Sequence, residues 1–273
     1  MGLSKLALDT AEKLRPVLLK IVPQSVLSSV KESIVRRNTD RLKNANIIPY
    51  DRTYREGINL IGNIRAETGL GQSTRLIADI LEASGEEYVL HDFFVPPGPS
   101  MNDHTHDDKI TDELPYDINI FHINASEFTL AFMNMGQNVW DHRYNIAYWL
   151  WELEEFPEEW LGCIDLVDEI WTPADFITNT LKKYTDKPVM TLPYCVEAPV
   201  SEEFDRAYFG LPDDKFLFLM MFASGSIMER KNPDSVFEAY KRAFGTDNDN
   251  VGIVVKICLL YTSPSPRDRT RSR

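Results

Sequence analysis

From Glu56 onward the chain alternates short apolar runs with amphipathic ones, and that alternation restricts the fold more than any other feature. Gly57-Ile58-Asn59-Leu60-Ile61-Gly62 reads as a short buried strand, and residues 73–84 as a helix with Leu76, Ile77, Ile80 and Leu81 on one face. Further strands are expected at 88–90, 117–123, 145–150, 169–172 and 189–192. Helices are expected at 127–135, near 158–167 and at 175–184, and a loop at 96–115. Nearly continuous apolar strands separated by helices imply a parallel sheet covered on both faces. The fold class is α/β, doubly wound.

Residues 193–212 contain prolines and no clear periodicity, as an interdomain link would. A second α/β unit follows: strand 216–222, helix 233–244, strand 252–256. Asn232 is placed to cap that helix and Pro233 to open it, with Val236, Phe237, Tyr240 and Phe244 as the inward stripe. The unit stops after strand, helix and strand, and reads as truncated. Residues 258–273 then abandon all periodicity and end in an Arg/Ser/Thr run that resembles a translated sequencing adapter. They are treated as a non-native tail, a genuine tail being the alternative. The expected division is a helical N-terminal extension at 1–50, a Rossmann-like domain at 51–195, a partial second one at 196–257, and the tail.

Charge narrows the partners. The net charge is −13, but residues 1–44 carry +5, residues 257–273 carry +3, and the body between them −21. A body that acidic repels nucleic acid at long range, while one local phosphate site stays feasible. Residues 3–37 read as one or two helices broken near Pro23, with Leu6, Leu8, Leu14, Leu18, Leu19 and Ile21 among Lys5, Lys13, Arg15 and Lys20. Packing on the domain is the first expectation for them; contact with anionic lipid is the second. No apolar run reaches the ~18–20 residues of a membrane span, and the start lacks a signal peptide's pattern, so a cytoplasmic protein is expected, with membrane association through residues 1–44 as the second reading. Three cysteines (Cys163, Cys195, Cys258) make neither a disulfide framework nor a metal set.

Four places could carry chemistry. Glu67-Thr68-Gly69-Leu70-Gly71-Gln72-Ser73 follows a strand and opens a helix; Gly69 and Gly71 would let backbone N–H groups approach a phosphate or sugar hydroxyl, or merely make a tight turn. Ser224-Gly225-Ser226-Ile227-Met228-Glu229-Arg230-Lys231-Asn232 lies on the carboxyl edge of the second sheet, and Arg230 and Lys231 suit a diphosphate as well as they suit solvent. His122 ends a strand, as a ligand-facing ring or as a satisfied core residue. Residues 140–171 contain all five tryptophans; stacked rings and carboxylates there suit a sugar, with Glu152 the chosen carboxylate, though a core strand beside an acidic surface helix explains most of them. His104-Thr105-His106-Asp107-Asp108 has the look of metal ligands without the spacing.

Taken in order, these pieces resemble a glycosyltransferase of the two-Rossmann-domain GT-B type, family 4. The Gly69–Gly71 turn resembles that family's N-terminal glycine loop. Glu169-Ile170-Trp171-Thr172-Pro173-Ala174 resembles its V-W-x-P-S strand end. Leu192-Pro193-Tyr194-Cys195-Val196-Glu197 resembles its P-N-G-V-D motif, with Tyr194 and Cys195 departing from Asn-Gly. The strand and basic turn at 216–233 resemble the segment that holds the donor diphosphate. The match spans roughly residues 56–257.

The resemblance implies retaining transfer of a sugar from a nucleotide-sugar donor to a polysaccharide, glycolipid or similar acceptor. No cofactor or metal is implied, because Arg230 and Lys231 would neutralise the diphosphate. By the same carry-over, His122, Arg230 and Lys231 are the catalytic candidates, and Gly69, Gly71, Glu152 and Ser226 the substrate-binding ones; Ser226 stands near where many members carry an Arg. The family's paired glutamates belong to a later region than this sequence reaches, so slow or absent turnover by the 273-residue chain is expected. A catalytically inactive sugar- or nucleotide-binding protein and a nucleotide-sugar epimerase are the alternatives. An NAD-linked oxidoreductase fits less well, since the glycine loop is incomplete and no ribose-binding acid is evident.

Overall fold

A computed structural model describes residues 42, 45–94, 99–198, 200–223 and 228–258. The helices expected at 3–37, Ser226 and residues 259–273 lie outside the described residues. The chain divides into two compact units between Glu197 and Ala198.

The first unit is a six-stranded, wholly parallel sheet in the order β2-β1-β3-β4-β5-β6. Its strands are β1 (Arg55–Gly62), β2 (Tyr88–Asp92), β3 (Tyr116–His122), β4 (Tyr144–Tyr148), β5 (Glu169–Thr172) and β6 (Val189–Thr191). Helices α1 (Gly69–Ser84), α2 (Ala125–Met135) and α3 (Asp175–Leu181) join strands, and a 3-10 helix spans Glu158–Leu166. This is an α/β layered fold compatible with a Rossmann-like domain. Among the described residues no helix is long and apolar enough to cross a membrane.

Successive strand residues point to opposite faces, so each strand feeds two cores. Leu60, Ile120, Ile146 and Tyr148 pack with Ile77, Ala78 and Leu81 of α1. Ile61, Phe121, Ala147 and Ile170 pack on the other face with Phe128 of α2, Ile164 of the 3-10 helix, and Ile177 and Leu181 of α3. Leu42 is buried in this second cluster. Each cluster takes its helices from one face, and both faces of the sheet are covered.

Some local expectations are corrected. α1 begins at Gly69, four residues before the expected Ser73, because Thr68 caps it: the Thr68 hydroxyl accepts from the Gly71 N–H at 3.1 Å. Its buried stripe runs through Ser73, Thr74, Ile77, Ala78 and Leu81, while Ile80 is exposed, a rotation that brings small polar residues against the strand ends. The helix expected near 158–167 is a 3-10 helix after Pro157, with Trp160 N–H donating to the Pro157 carbonyl.

A row of buried amides fixes the register of the central strands. Asn59, Asn119 and Asn145 are Cα partners across β1, β3 and β4. Asn59 Nδ2 donates to Asn119 Oδ1 and Asn119 Nδ2 to Asn145 Oδ1, each at 2.9 Å. Their remaining donors go to the carbonyls of Tyr116, Val139, Trp140 and Arg143. A one-residue slip would strand all three amides, so the ladder aligns the strand ends three residues further on.

The second unit pairs β7 (Phe216–Ala223) with β8 (Val251–Cys258) in parallel, with a single helical turn α4 (Met228–Lys231) and helix α5 (Pro233–Phe244) between them. Phe218, Tyr240 and Phe244 pack ring on ring, with centroids 5.3–6.1 Å apart. Pro233 opens α5, but Asn232 does not cap it with its side chain. It adopts a left-handed conformation at φ 47°, which asparagine tolerates, and that geometry replaces the expected cap. Val236, expected in the inward stripe, is exposed, leaving Phe237, Tyr240 and Phe244 partly covered.

Candidate functional site

The chain runs from β1 out to the edge strand β2 and returns to β3 on the other side of β1. Connections leaving the carboxyl ends of β1 and β3 therefore diverge, and open α/β sheets bind ligands in the crevice at that point. Gly62 and His122 end the two strands and are direct Cα partners. The sequence singled out His122 as a strand-end residue, and the strand order places it at this switch point.

His122 is fully buried and fully engaged. Its Nδ1 lies 3.2 Å from the Tyr148 carbonyl, which can only accept, so Nδ1 carries the proton. Nε2 is then a bare acceptor in the neutral ring. Two hydroxyls reach it: Ser73 Oγ at 2.9 Å and Tyr194 OH at 3.1 Å. Ser73 Oγ donates to the Leu70 carbonyl at 2.9 Å, so Tyr194 is the hydroxyl that donates to the single lone pair of Nε2. Burial pushes the His122 pKa down to about 4, and the ring is neutral at physiological pH.

Three rings stack around this contact. His122 lies on Tyr148 with centroids 5.0 Å apart, and Tyr194 lies 5.8 Å from His122 and 5.2 Å from Tyr148, all within 28° of parallel. Tyr148 donates its hydroxyl to the Leu192 carbonyl. Burial pushes both phenols up, Tyr194 to about 12, so both stay protonated donors.

The glycine turn borders the same crevice. A Cβ at Gly71 would overlap the Ala66 carbonyl oxygen, so Gly71 is required by close packing of the helix on its own entry loop. Gly62 is tight in the same way, against Thr74 and the His122 carbonyl. Gly69 is exposed, with open space where a Cβ would stand, so packing does not require glycine there. Buried Arg75 braces the loop from beneath, donating to the Ile64 and Ala66 carbonyls at 2.7 and 3.1 Å and pairing with Asp103 at 3.2 Å.

The tryptophan segment divides between core and cleft. Trp140 and Trp149 are fully buried, as the bland reading of that segment expects. Beyond β4, an open cleft of about 850 Å3 is lined by Trp151, Glu154, Glu155, Phe156, Glu158 and Tyr184 among others. Glu152 is exposed and does not line it; the carboxylates at the cleft are Glu154, Glu155 and Glu158. Aromatic walls with a carboxylate rim can take a sugar face and accept its hydroxyl protons.

The remaining candidates lie on other elements. Arg230 and Lys231 end α4 in the second unit, both exposed, just before the buried Pro233 that opens α5. His104 Nδ1 pairs with Asp107 at 2.9 Å, Asp107 bridges to Arg65, and His106 pairs with Asp79 at 3.4 Å. These side chains are spent on ion pairs, and no group of three metal-ligating residues occurs among the described residues.

No protein-family model matches this sequence, and no curated protein matches it. Ser73 and Tyr194 appeared in the sequence only within the glycine turn and the interdomain motif, and neither they nor Tyr148 were named as site residues. A signal for Tyr148 was present: Asn59-Leu60-Ile61-Gly62, Asn119-Ile120-Phe121-His122 and Asn145-Ile146-Ala147-Tyr148 place an Asn three residues before the carboxyl end of adjacent strands. Ser73 and Tyr194 lie 49 and 72 residues from His122, and no local pattern announces those contacts.

Proposed function

We propose that this chain belongs to a retaining, nucleotide-sugar-dependent glycosyltransferase of the GT-B type, acting on a polysaccharide, glycolipid or similar acceptor. The observation that carries the reading is His122 at the β1/β3 switch point, neutral and with Nε2 offered to hydroxyl donors. A neutral imidazole acceptor suits a sugar hydroxyl better than a phosphate, which has no proton to donate at its anionic oxygens. The aromatic cleft beyond β4 supports a carbohydrate acceptor. Arg230 and Lys231 supply two cations for a diphosphate leaving group, stabilising the charge that develops as the anomeric carbon–oxygen bond breaks. Residues 1–44, at a net +5, fit a cytoplasmic protein that works beside an anionic membrane.

A sugar-binding protein without transfer activity is the second reading, favoured by one observation: His122 is covered by Tyr194. Saturation-transfer NMR with UDP-, GDP- and ADP-sugars tests both, because it reads weak binding without turnover. Binding of one donor, weakened about tenfold when Arg230 and Lys231 are both replaced by alanine, is expected for a charge-assisted diphosphate contact. Release of nucleoside diphosphate from that donor, with the sugar's anomeric configuration kept in the product, supports transfer; binding without release fits the second reading and equally the slow turnover expected of this chain. Failure of every donor to bind rejects the transferase.

A further inference from the structure

The segment after β6 crosses the His122 site and is anchored there by one side chain. Leu192 still belongs to the sheet: its N–H donates to the Thr172 carbonyl at 2.8 Å and its carbonyl accepts from Tyr148. Beyond it, the N–H groups of residues 194–198 make no backbone–backbone hydrogen bond among the described residues. Cys195, Val196 and Glu197 are exposed, Val196 to 70%. Tyr194 alone turns inward, onto the His122–Tyr148 stack. A segment without ladder bonds and with one half-buried ring is expected to open at lower free energy than the sheet beneath it.

What lies under Tyr194 does not depend on it. Ser73 is carried by α1, His122 by β3 and Tyr148 by β4, and the Nδ1 bond to the Tyr148 carbonyl holds the imidazole in place. Lifting Tyr194 would uncover a formed site: an Nε2 lone pair, a serine hydroxyl and the flat face of Tyr148.

We propose that residues 193–197 form a gating strap, with Tyr194 an internal occupant of a hydroxyl-binding site that an incoming ring displaces. Because Nδ1–H is committed to a carbonyl, Nε2 can only accept, and the entering group has to donate. Tyr194 itself sets the type: a neutral ring, stacked on Tyr148, with a hydroxyl aimed at Nε2. The opening of the strap stands apart from sugar transfer; a sugar as the entering ring rests on that reading.

Modification of the five histidines by diethyl pyrocarbonate, followed residue by residue by mass spectrometry, tests the gate in the full chain. In the wild type, His122 should react far more slowly than exposed His104, at a rate that stays flat in low urea, because only the strap opens. Tyr194→Ala should raise the His122 rate about tenfold or more and leave His91, His104, His106 and His142 unchanged, as removal of a local cover would. In that variant, 4-methylphenol should restore protection and toluene should not. A wild-type His122 rate that climbs with urea along the global unfolding transition overturns the proposal, and so does an unchanged rate in Tyr194→Ala. Should Tyr194→Ala unfold, all five rates rise together and the wild-type urea dependence decides alone. Equal protection by toluene and 4-methylphenol overturns the hydroxyl requirement. None of these outcomes depends on a nucleotide sugar, so the gate and the transferase reading fail separately.

Discussion

A histidine held neutral inside a protein makes stability depend on pH, and at position 122 the sign is fixed. An unfolded histidine titrates near 6.5, whereas His122 in the fold titrates near 4 because burial disfavours its cation. Above pH 6.5 neither state binds the proton and the residue contributes no slope. As pH falls from 6.5, the unfolded chain takes the proton first, and the native state loses stability until about pH 4. The loss totals on the order of 3 kcal/mol. Asp92 and Glu127 have carboxyls raised by burial and titrate in the opposite sense, so the comparison has to be made against a variant. The urea stability of wild type relative to His122→Asn should fall between pH 7 and pH 4. A difference that stays constant would mean that the ring is not buried neutral.

The two glycines of α1 separate a packing requirement from open space at the scale of the element. Gly71→Ala drives a methyl group into the Ala66 carbonyl and should destabilise the fold by about 1–3 kcal/mol, as overpacking does. Gly69→Ala meets nothing and should be neutral or stabilise by about 0.4–1 kcal/mol through the unfolded chain. Thermal denaturation of the two variants checks both. In the central sheet, Asn119→Leu removes the middle amide of the ladder and leaves Asn145 Oδ1 without its donor. A loss of about 2–4 kcal/mol in urea denaturation is expected; a loss below 1 kcal/mol would show the ladder is dispensable.

These elements also show what a linear reading can reach. Strand positions were legible because β1, β3 and β4 are short, mostly apolar runs between turns, each interrupted by one asparagine. The start of α1 was not, since it depends on the Thr68 cap and on Gly71 fitting against a loop that only exists once folded. His122 was legible as a strand-end residue. Its partners Ser73 and Tyr194 were not, because they come from distant segments that the sheet order brings together. Glu152 was chosen for its neighbours in sequence, and the cleft beyond β4 is lined by Glu154, Glu155 and Glu158.

Over the whole molecule, the two units differ in how much they bury. The first has two cores and fully buried residues on both faces of its central strands. In the second, Phe216, Leu219 and Met221 of β7 are exposed to 64%, 64% and 60%. Parallel strands with so little cover lose their amide protection readily. Hydrogen exchange should therefore proceed at least about tenfold faster in β7 and β8 than in β1, β3 and β4. Equal protection in both units would contradict this ranking.

The state of one imidazole at the switch point underlies both the proposed function and the gate. Long-range 1H–15N NMR of the histidine side chains, followed from pH 7 to pH 4, reads both its tautomer and its titration. The structure predicts that His122 carries its proton on Nδ1, presents Nε2 as an acceptor, and stays neutral until about pH 4. An Nε2-protonated ring, or a midpoint near the ordinary value of about 6.5, would contradict the hydroxyl-binding site on which both the proposed function and the gate are built.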